Sequence, residues 1–235
     1  VGTIAVTGAT GHLGRVLVPY LWERGHVVEP VGRFISPDLD AHVLIHAAAP
    51  DWRDDDAVRA FAPFNEAVAR WAEVTGGRVI NIGSWWQYAH GDAADLAYSK
   101  MKDDQQAMFA CTVIPFSIYG TAARDGRGFI PQLLNHVRGR GTVAAASTEP
   151  RDWLHARDLC DALRACLRAP DGIYEAATGV QYSAAELLRA MTGERVPVWP
   201  DVPSCTPVYR HPRVPGWTPR TDVLSYLARS VGAVA

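Results

Sequence analysis

The hydrophobic pattern of the first 120 residues switches between two periods. Short apolar runs, "TIAV", "HVVEPV", "AHVLIHAAA", "RVINIG" and "CTVIPFSIYG", read as strands. They are too continuously apolar for a sheet with one face in water. Between them lie segments with apolar residues at helical spacing: "RVLVPYLWERG", closed by Gly25, "AVRAFAPFNEAVARWAEVTGG", read as one helix through Pro63, and "DLAYSKMKDDQQAMFA". Strands alternating with helices predict an α/β fold of Rossmann type, a doubly wound parallel sheet covered on both faces.

After Gly120 the rhythm changes. "GFIPQLLNHVRGRG" and "ARDLCDALRACLRA" predict helices, "GIYEAA" a short strand, and "SAAELLRAMTG" a helix capped by Ser183. A Pro-rich stretch then leads to a last helix from about Thr221. Residues 1–120 are therefore expected to form the cofactor-binding core. Residues 121–235 are expected to supply the interleaved end of the sheet and a small C-terminal substrate-binding lobe.

Composition narrows the function. Hydrophobic residues make up 48% and charged residues 20% of 235 positions, the balance of a globular enzyme. The net charge of −2 gives no basic field for nucleic acid or an anionic membrane. No apolar run approaches the ~18 residues of a membrane span. Strand-like sequence begins at once with "VGTIAV", so no signal peptide is expected before it, and the absent Met suggests numbering that starts inside the reading frame. Cys111, Cys160, Cys166 and Cys205 lack C-x-x-C spacing, which suits a reducing, cytoplasmic setting. No H-x-x-x-H pair lies on a helix, since His42 and His46 flank a strand-like run, so no metal site is expected.

Two stretches carry chemistry. Gly8, Gly11 and Gly14 form G-x-x-G-x-x-G between the first strand and the first helix. Such a turn lets a dinucleotide's pyrophosphate approach the helix N-terminus. At the end of the second strand, where NAD enzymes place a carboxylate on the ribose, stand Gly32 and Arg33. A guanidinium there suits a 2′-phosphate, so NADP(H) is the preferred cofactor, with NAD(H) still allowed.

The second stretch is "INIGSWWQYAHGDAADLAYSKMK". Tyr98 and Lys102, four residues apart on a helix, share one face. The ammonium is expected to lower the phenol from about 10 by roughly 1–3 units, making Tyr98 a proton donor or acceptor for a carbonyl or alcohol. Ser84, at a strand end upstream, can hydrogen-bond the same oxygen. "DWRDDD" is expected to cap the following helix.

Taken together, "TGATGHLG", "VLIHAAA", "NIGS", "YSKMK", "IPFSIYG", "RDWLHARDL" and "PGWTPRT" resemble the extended short-chain dehydrogenase/reductases, the NAD-dependent epimerase/dehydratase family. The resemblance implies Ser84, Tyr98 and Lys102 as catalytic residues. It implies Gly8, Thr10, Gly11, His12, Leu13, Gly14, Ala47, Ala48, Ala49, Pro115, Phe116 and Ser117 at the cofactor, beside Arg33, Tyr98 and Lys102. Asn65 matches a helix Asn near the active site, and Arg151 an arginine that reaches the diphosphate of a nucleotide-sugar. Family members are usually longer, with a further strand beyond the second and an Arg where this chain has Ile114.

Within the family, dehydratases carry an acidic pair after the hydroxyl residue, where this chain has Trp85 and Trp86. "GSWWQY" instead resembles the CDP-abequose and CDP-paratose synthase type of NADPH-dependent 4-ketoreductase, with the tryptophans as a wall for a sugar face. The expected partner is thus a small molecule, a nucleotide-sugar, with homodimer formation left open. A 4-epimerase retaining NAD, a reductase of a non-nucleotide natural-product ketone, and a non-catalytic NADP sensor are the alternatives.

Overall fold

The computed structural model describes residues 2–32, 34–88, 96–120, 128–194, 197 and 208–232. Six parallel strands form the main sheet: β1 (Ile4–Thr7), β2 (Val28–Val31), β3 (Val43–His46), β4 (Arg78–Ile82), β5 (Cys111–Pro115) and β8 (Gly172–Ala176), in the order β2-β1-β3-β4-β5-β8. Register is set by burial on both faces. Ile4, Val6, Ile45, Ile80, Ile82, Cys111 and Val113 point into one core with α1 (Gly14–Glu23) and α6 (Ala156–Cys166). Their neighbours Ala5, Leu44 and Val79 point the other way, onto Val68 and Trp71 of α3 (Ala62–Thr75). The sheet is doubly wound, as the alternation of periods predicts.

Two predicted elements divide. The single helix expected through Pro63 is a short α2 (Asp55–Arg59) followed by α3, with Pro63 in the first turn of α3. Proline has no N–H to give and disfavours a helical residue before it, so it begins a helix more readily than it continues one. Asp54 caps α2 by accepting from Ala57 N at 3.0 Å, and Asp55 and Asp56 fill its first turn, as "DWRDDD" predicts.

The strand "CTVIPFSIYG" divides as well. β5 ends at Pro115, and after Phe116 the chain enters β6 (Ser117–Tyr119) of a second sheet. That sheet, β6-β7-β9, adds β7 (Pro150–His155), parallel to β6, and β9 (Gln181–Ser183), antiparallel to β7. Neither β7 nor β9 is predicted by its sequence pattern, because each is short and mixes apolar with polar residues. Around this sheet α5 (Phe129–Val137), α7 (Ala184–Thr192) and α8 (Val223–Gly232) bury Leu133, Leu187, Leu188 and Leu227 in a separate core with Trp153. Ser183 caps α7 in a reciprocal box with Glu186. Between β4 and β5, α4 (Ala97–Met108) lies on the same face as α3.

The two cores are tied by buried carboxylates. Asp152 on β7 is fully buried and accepts from Thr178 N (2.9 Å), Thr178 Oγ1 (3.0 Å), Gly179 N (2.7 Å) and the Tyr209 hydroxyl (2.8 Å). Asp158 on α6 accepts from Arg220 N and Thr221 N, while its carbonyl takes the Trp217 indole N–H. Thus the acids of "RDWLHARDL" staple the C-terminal segment to the sheet.

Removing the Asp152 carboxylate would leave several buried donors without an acceptor. Asp152→Ala should therefore lower the unfolding free energy by about 3 kcal/mol or more, and Asp152→Asn by less. Urea denaturation of both variants measures the difference.

Candidate active site

The glycine turn has the shape the cofactor reading needs. Gly8 holds a φ of +66°, and a Cβ there would lie 2.7 Å from the Ala48 backbone. A Cβ on Gly14 would lie 2.2 Å from the Gly8 carbonyl oxygen. No side chain caps α1, whose first turn opens from His12, Leu13 and Gly14 with its N–H groups toward the turn. Thr10, Gly11 and His12 are exposed beside it, and Ala47 to Ala49 follow β3 on the adjacent strand end. A cradle this close to backbone, with an uncapped helix end, fits a pyrophosphate. Gly32 follows the edge strand β2 with nothing within 4 Å of where its Cβ would be, and Arg33 lies outside the described residues.

Ser84 follows β4 after Gly83 and is buried. Its place is fixed by Gln87, whose Oε1 accepts from Ser84 N at 3.1 Å while Nε2 donates to Gln106 of α4 at 2.6 Å. The Ser84 hydroxyl accepts from Trp86 N at 3.3 Å and hydrogen-bonds the Tyr98 phenol. Lys102, one turn along α4, is buried with Nζ 5.7 Å from the Tyr98 ring centroid. It donates to Ile82 O and to Gln105 Oε1, both at 2.8 Å. The three residues of the sequence motif therefore converge.

Their electrostatics differ from the expectation in one respect. Burial pushes the Tyr98 phenol up from its ordinary value, and the Ser84 hydrogen bond offsets this only in part. The ammonium does not lower it, because Lys102 sits over the ring and directs its bonds to Ile82 and Gln105. Burial also brings the Lys102 amine down to about 7, so at neutral pH it is only partly charged.

The proposed substrate residues separate. Trp85 is buried against Ile114, Phe116 and Ala177, with the Arg151 guanidinium 5.8 Å above its ring. Trp86 is half-buried and stacks on Trp52, ring centroids 5.4 Å apart. Trp52, which the sequence reading passed over inside an acidic run, is exposed at the end of the loop after β3. Pro115, Phe116 and Ser117 mark the crossing from β5 to β6, and Phe116 meets Tyr209 edge-on. Asn65, matched to a helix Asn near the active site, is buried on α3, with Oδ1 bonded to His46 Nε2 (3.1 Å) and Gln105 Nε2 (2.9 Å). A helix position facing the sheet puts its side chain there. Gln105 and His46 were likewise missed. The only signal for Gln105 is its i+3 spacing from Lys102, masked by the polar run "KDDQQ".

Residues 86–178 match the NAD dependent epimerase/dehydratase family. The matched span holds Tyr98, Lys102, Pro115 to Ser117 and Arg151, and starts just after Ser84. No curated protein sequence matches the chain. Solved structures of similar fold do. The Bordetella bronchiseptica enzyme WbmG, in complex with NAD and UDP, superposes with TM-score 0.77 at 17% identity, over 98% of this chain and 94% of that one. MoeE5, in complex with UDP-glucuronic acid and NAD, gives 0.74 at 21% over 99% of both. RMD from Pseudomonas aeruginosa, complexed with NADPH, gives 0.75 at 16% over 98% and 96%. These likenesses bear out the Rossmann-type fold. The family match agrees with the sequence expectation of an NAD(P)-dependent enzyme. Among the described residues, no helix is long and apolar enough to cross a membrane.

The depressed Lys102 value has a direct readout. The chain contains only two lysines, Lys100 and Lys102, so protein labelled with ¹³Cε-lysine gives two signals. Without cofactor, the Lys102 signal should titrate with a midpoint near 7. Because this folded value lies below the ordinary 10.5, the group's contribution to stability is complete above about pH 10.5 and is lost as pH falls toward 7. A Lys102 midpoint near 10 would contradict the buried geometry.

Proposed function

We propose that this chain is an NADP(H)-dependent ketoreductase acting on a 4-keto-deoxysugar nucleotide. The observation that carries the reading is the turn after β4. There Ser84 meets the Tyr98 phenol, and the next two side chains are indoles rather than acids. Dehydration needs groups that move protons at the sugar carbons beside the ketone, and Trp85 and Trp86 move none. Carbonyl reduction needs only an oxygen site, a proton donor and a cofactor face.

When bound, the nicotinamide cofactor supplies the hydride. The chain's own groups do the rest. Ser84 and Tyr98 hold the carbonyl oxygen, whose charge grows during reduction. The raised phenol keeps its proton at neutral pH and gives it up to that oxygen, the behaviour of a general acid. Lys102 has two of its three N–H groups engaged inside the protein and one left for the nicotinamide ribose. The Gly8 to Gly14 turn takes the cofactor diphosphate, Gly32 and Arg33 the 2′-phosphate. Arg151, beside Trp85, takes the substrate diphosphate, while Trp86 and Trp52 face the sugar. Solved structures of the same fold hold NADPH in RMD and NAD beside a UDP-sugar in MoeE5, which supports both halves of the reading.

NAD in the WbmG and MoeE5 structures favours one second reading, a nucleotide-sugar 4-epimerase that keeps NAD bound. Cofactor titration separates the two. The purified protein should carry no retained NAD and should bind NADPH about tenfold or more tightly over NADH, a preference that Arg33→Ala narrows. Equal affinities together with stoichiometric NAD would establish the epimerase instead.

Tyr98→Phe keeps the ring and removes only the phenolic oxygen. Turnover of a 4-keto-6-deoxyhexose nucleotide, measured by NADPH oxidation, should fall about 10²–10⁴-fold with cofactor binding nearly unchanged. Ser84→Ala should cost less, and the effects should not add, because the groups act on one oxygen. Wild-type turnover by Tyr98→Phe would place the active site elsewhere.

A further inference from the structure

Reduction at Ser84 and Tyr98 does not require a glutamine three residues beyond the lysine, yet Gln105 is fully buried at the centre of a polar chain. Donor and acceptor rules decide how that chain is oriented. In its ammonium form lysine only donates, so the Gln105 atom 2.8 Å from Nζ is the carbonyl Oε1. The amide nitrogen must then point away, and it donates to Asn65 Oδ1 at 2.9 Å. His46 Nε2 lies 3.1 Å from the same oxygen, which puts the imidazole proton on Nε2. Nδ1 is left to accept from Thr7 Oγ1 at 2.9 Å, and Thr7 Oγ1 accepts from Ala48 N at 3.2 Å.

In this arrangement the 3.3 Å approach of Gln105 Nε2 to His46 Nε2 is the contact of two donors sharing one acceptor. The opposite tautomer would set a ring lone pair against Asn65 Oδ1. Burial brings His46 down to about 4, so the ring stays neutral and adds no charge beside the amine. Among the described residues, the other groups facing Lys102 are the Tyr98 ring on α4 and the Ile82 carbonyl on β4. Asp103 and Asp104 of α4 lie on its exposed side. Ala48 abuts Gly8, so the chain of bonds runs from the cofactor turn to the catalytic helix.

We propose that Gln105 is a positioning residue for Lys102: its carbonyl supplies the acceptor that the charged amine needs, and its amide nitrogen anchors that acceptor to the Asn65–His46–Thr7 chain behind the cofactor turn. The inference rests on the assignment of Lys102 to the active site. Its test reads the lysine without substrate or cofactor, so it can fail while the ketoreductase reading stands, and the reverse.

The experiment follows the Lys102 signal in ¹³Cε-lysine protein from pH 5 to 11, with Lys100 as the internal reference. Gln105→Glu places a carboxylate on the amine and should raise the midpoint by about one pH unit or more, a tenfold gain in proton affinity. Gln105→Leu removes the acceptor and should move the midpoint in the opposite direction. A residue that only fills space would lower thermal stability in both variants and leave the Lys102 midpoint unmoved, and that result would overturn the proposal. If Gln105→Leu fails to fold, the double variant Lys102→Met/Gln105→Leu, which no longer buries an amine without its acceptor, should recover folding. Absence of recovery would equally overturn it.

Discussion

A buried amine must be given acceptors, and much of this site is organised around supplying them to Lys102. The end of β4 provides the Ile82 carbonyl, and the next turn of α4 provides Gln105. Behind them Asn65, His46 and Thr7 extend the same polar chain through three further elements. Each member is satisfied by the next, which is what a low-dielectric interior demands. The network therefore fixes α3, α4, β1 and β3 relative to one another at the carboxyl ends of the strands. The Ser84–Tyr98 pair, the glycine turn and the β5–β6 crossing all lie around that frame.

The consequence for chemistry is a division of labour by burial. Tyr98 gains proton affinity and Lys102 loses it, so the phenol holds a proton at neutral pH while the amine is poised between its two forms. The tendency has one cause in both cases, the cost of charge in a place water does not reach. A simple picture of an ammonium activating a neighbouring phenol misses this, because it leaves out the carbonyls that claim the ammonium first.

Periodicity made the main sheet legible. Runs buried on both faces announced parallel strands, and the intervening helices followed the 3.6-residue pattern. The catalytic trio was legible through spacing, since Tyr98 and Lys102 must share a helix face and Ser84 ends the preceding strand. What escaped was what depends on contacts between distant segments. β7 and β9 owe their pairing to each other and to β6, and nothing local in "PRDWLH" or "QYS" marks a strand. Gln105 and Gln106 are adjacent in one polar run, and only the packed helix shows that the first is buried against Lys102 while the second reaches Gln87. Trp85 and Trp86 look equivalent in sequence, yet the 3₁₀ turn that carries them buries one and leaves the other at the rim.

The edge strand β2 carries a last implication. Ile4 N donates to Val27 O, so in this parallel register the backbone of Val27, Glu29 and Val31 faces β1, and that of Val28 and Pro30 faces outward. Pro30 brings no N–H to that free side, which interrupts the row of donors another strand would need. The outer side of β2, which pairs with no other strand among the described residues, is thus a poor template for strand addition and for edge-to-edge aggregation.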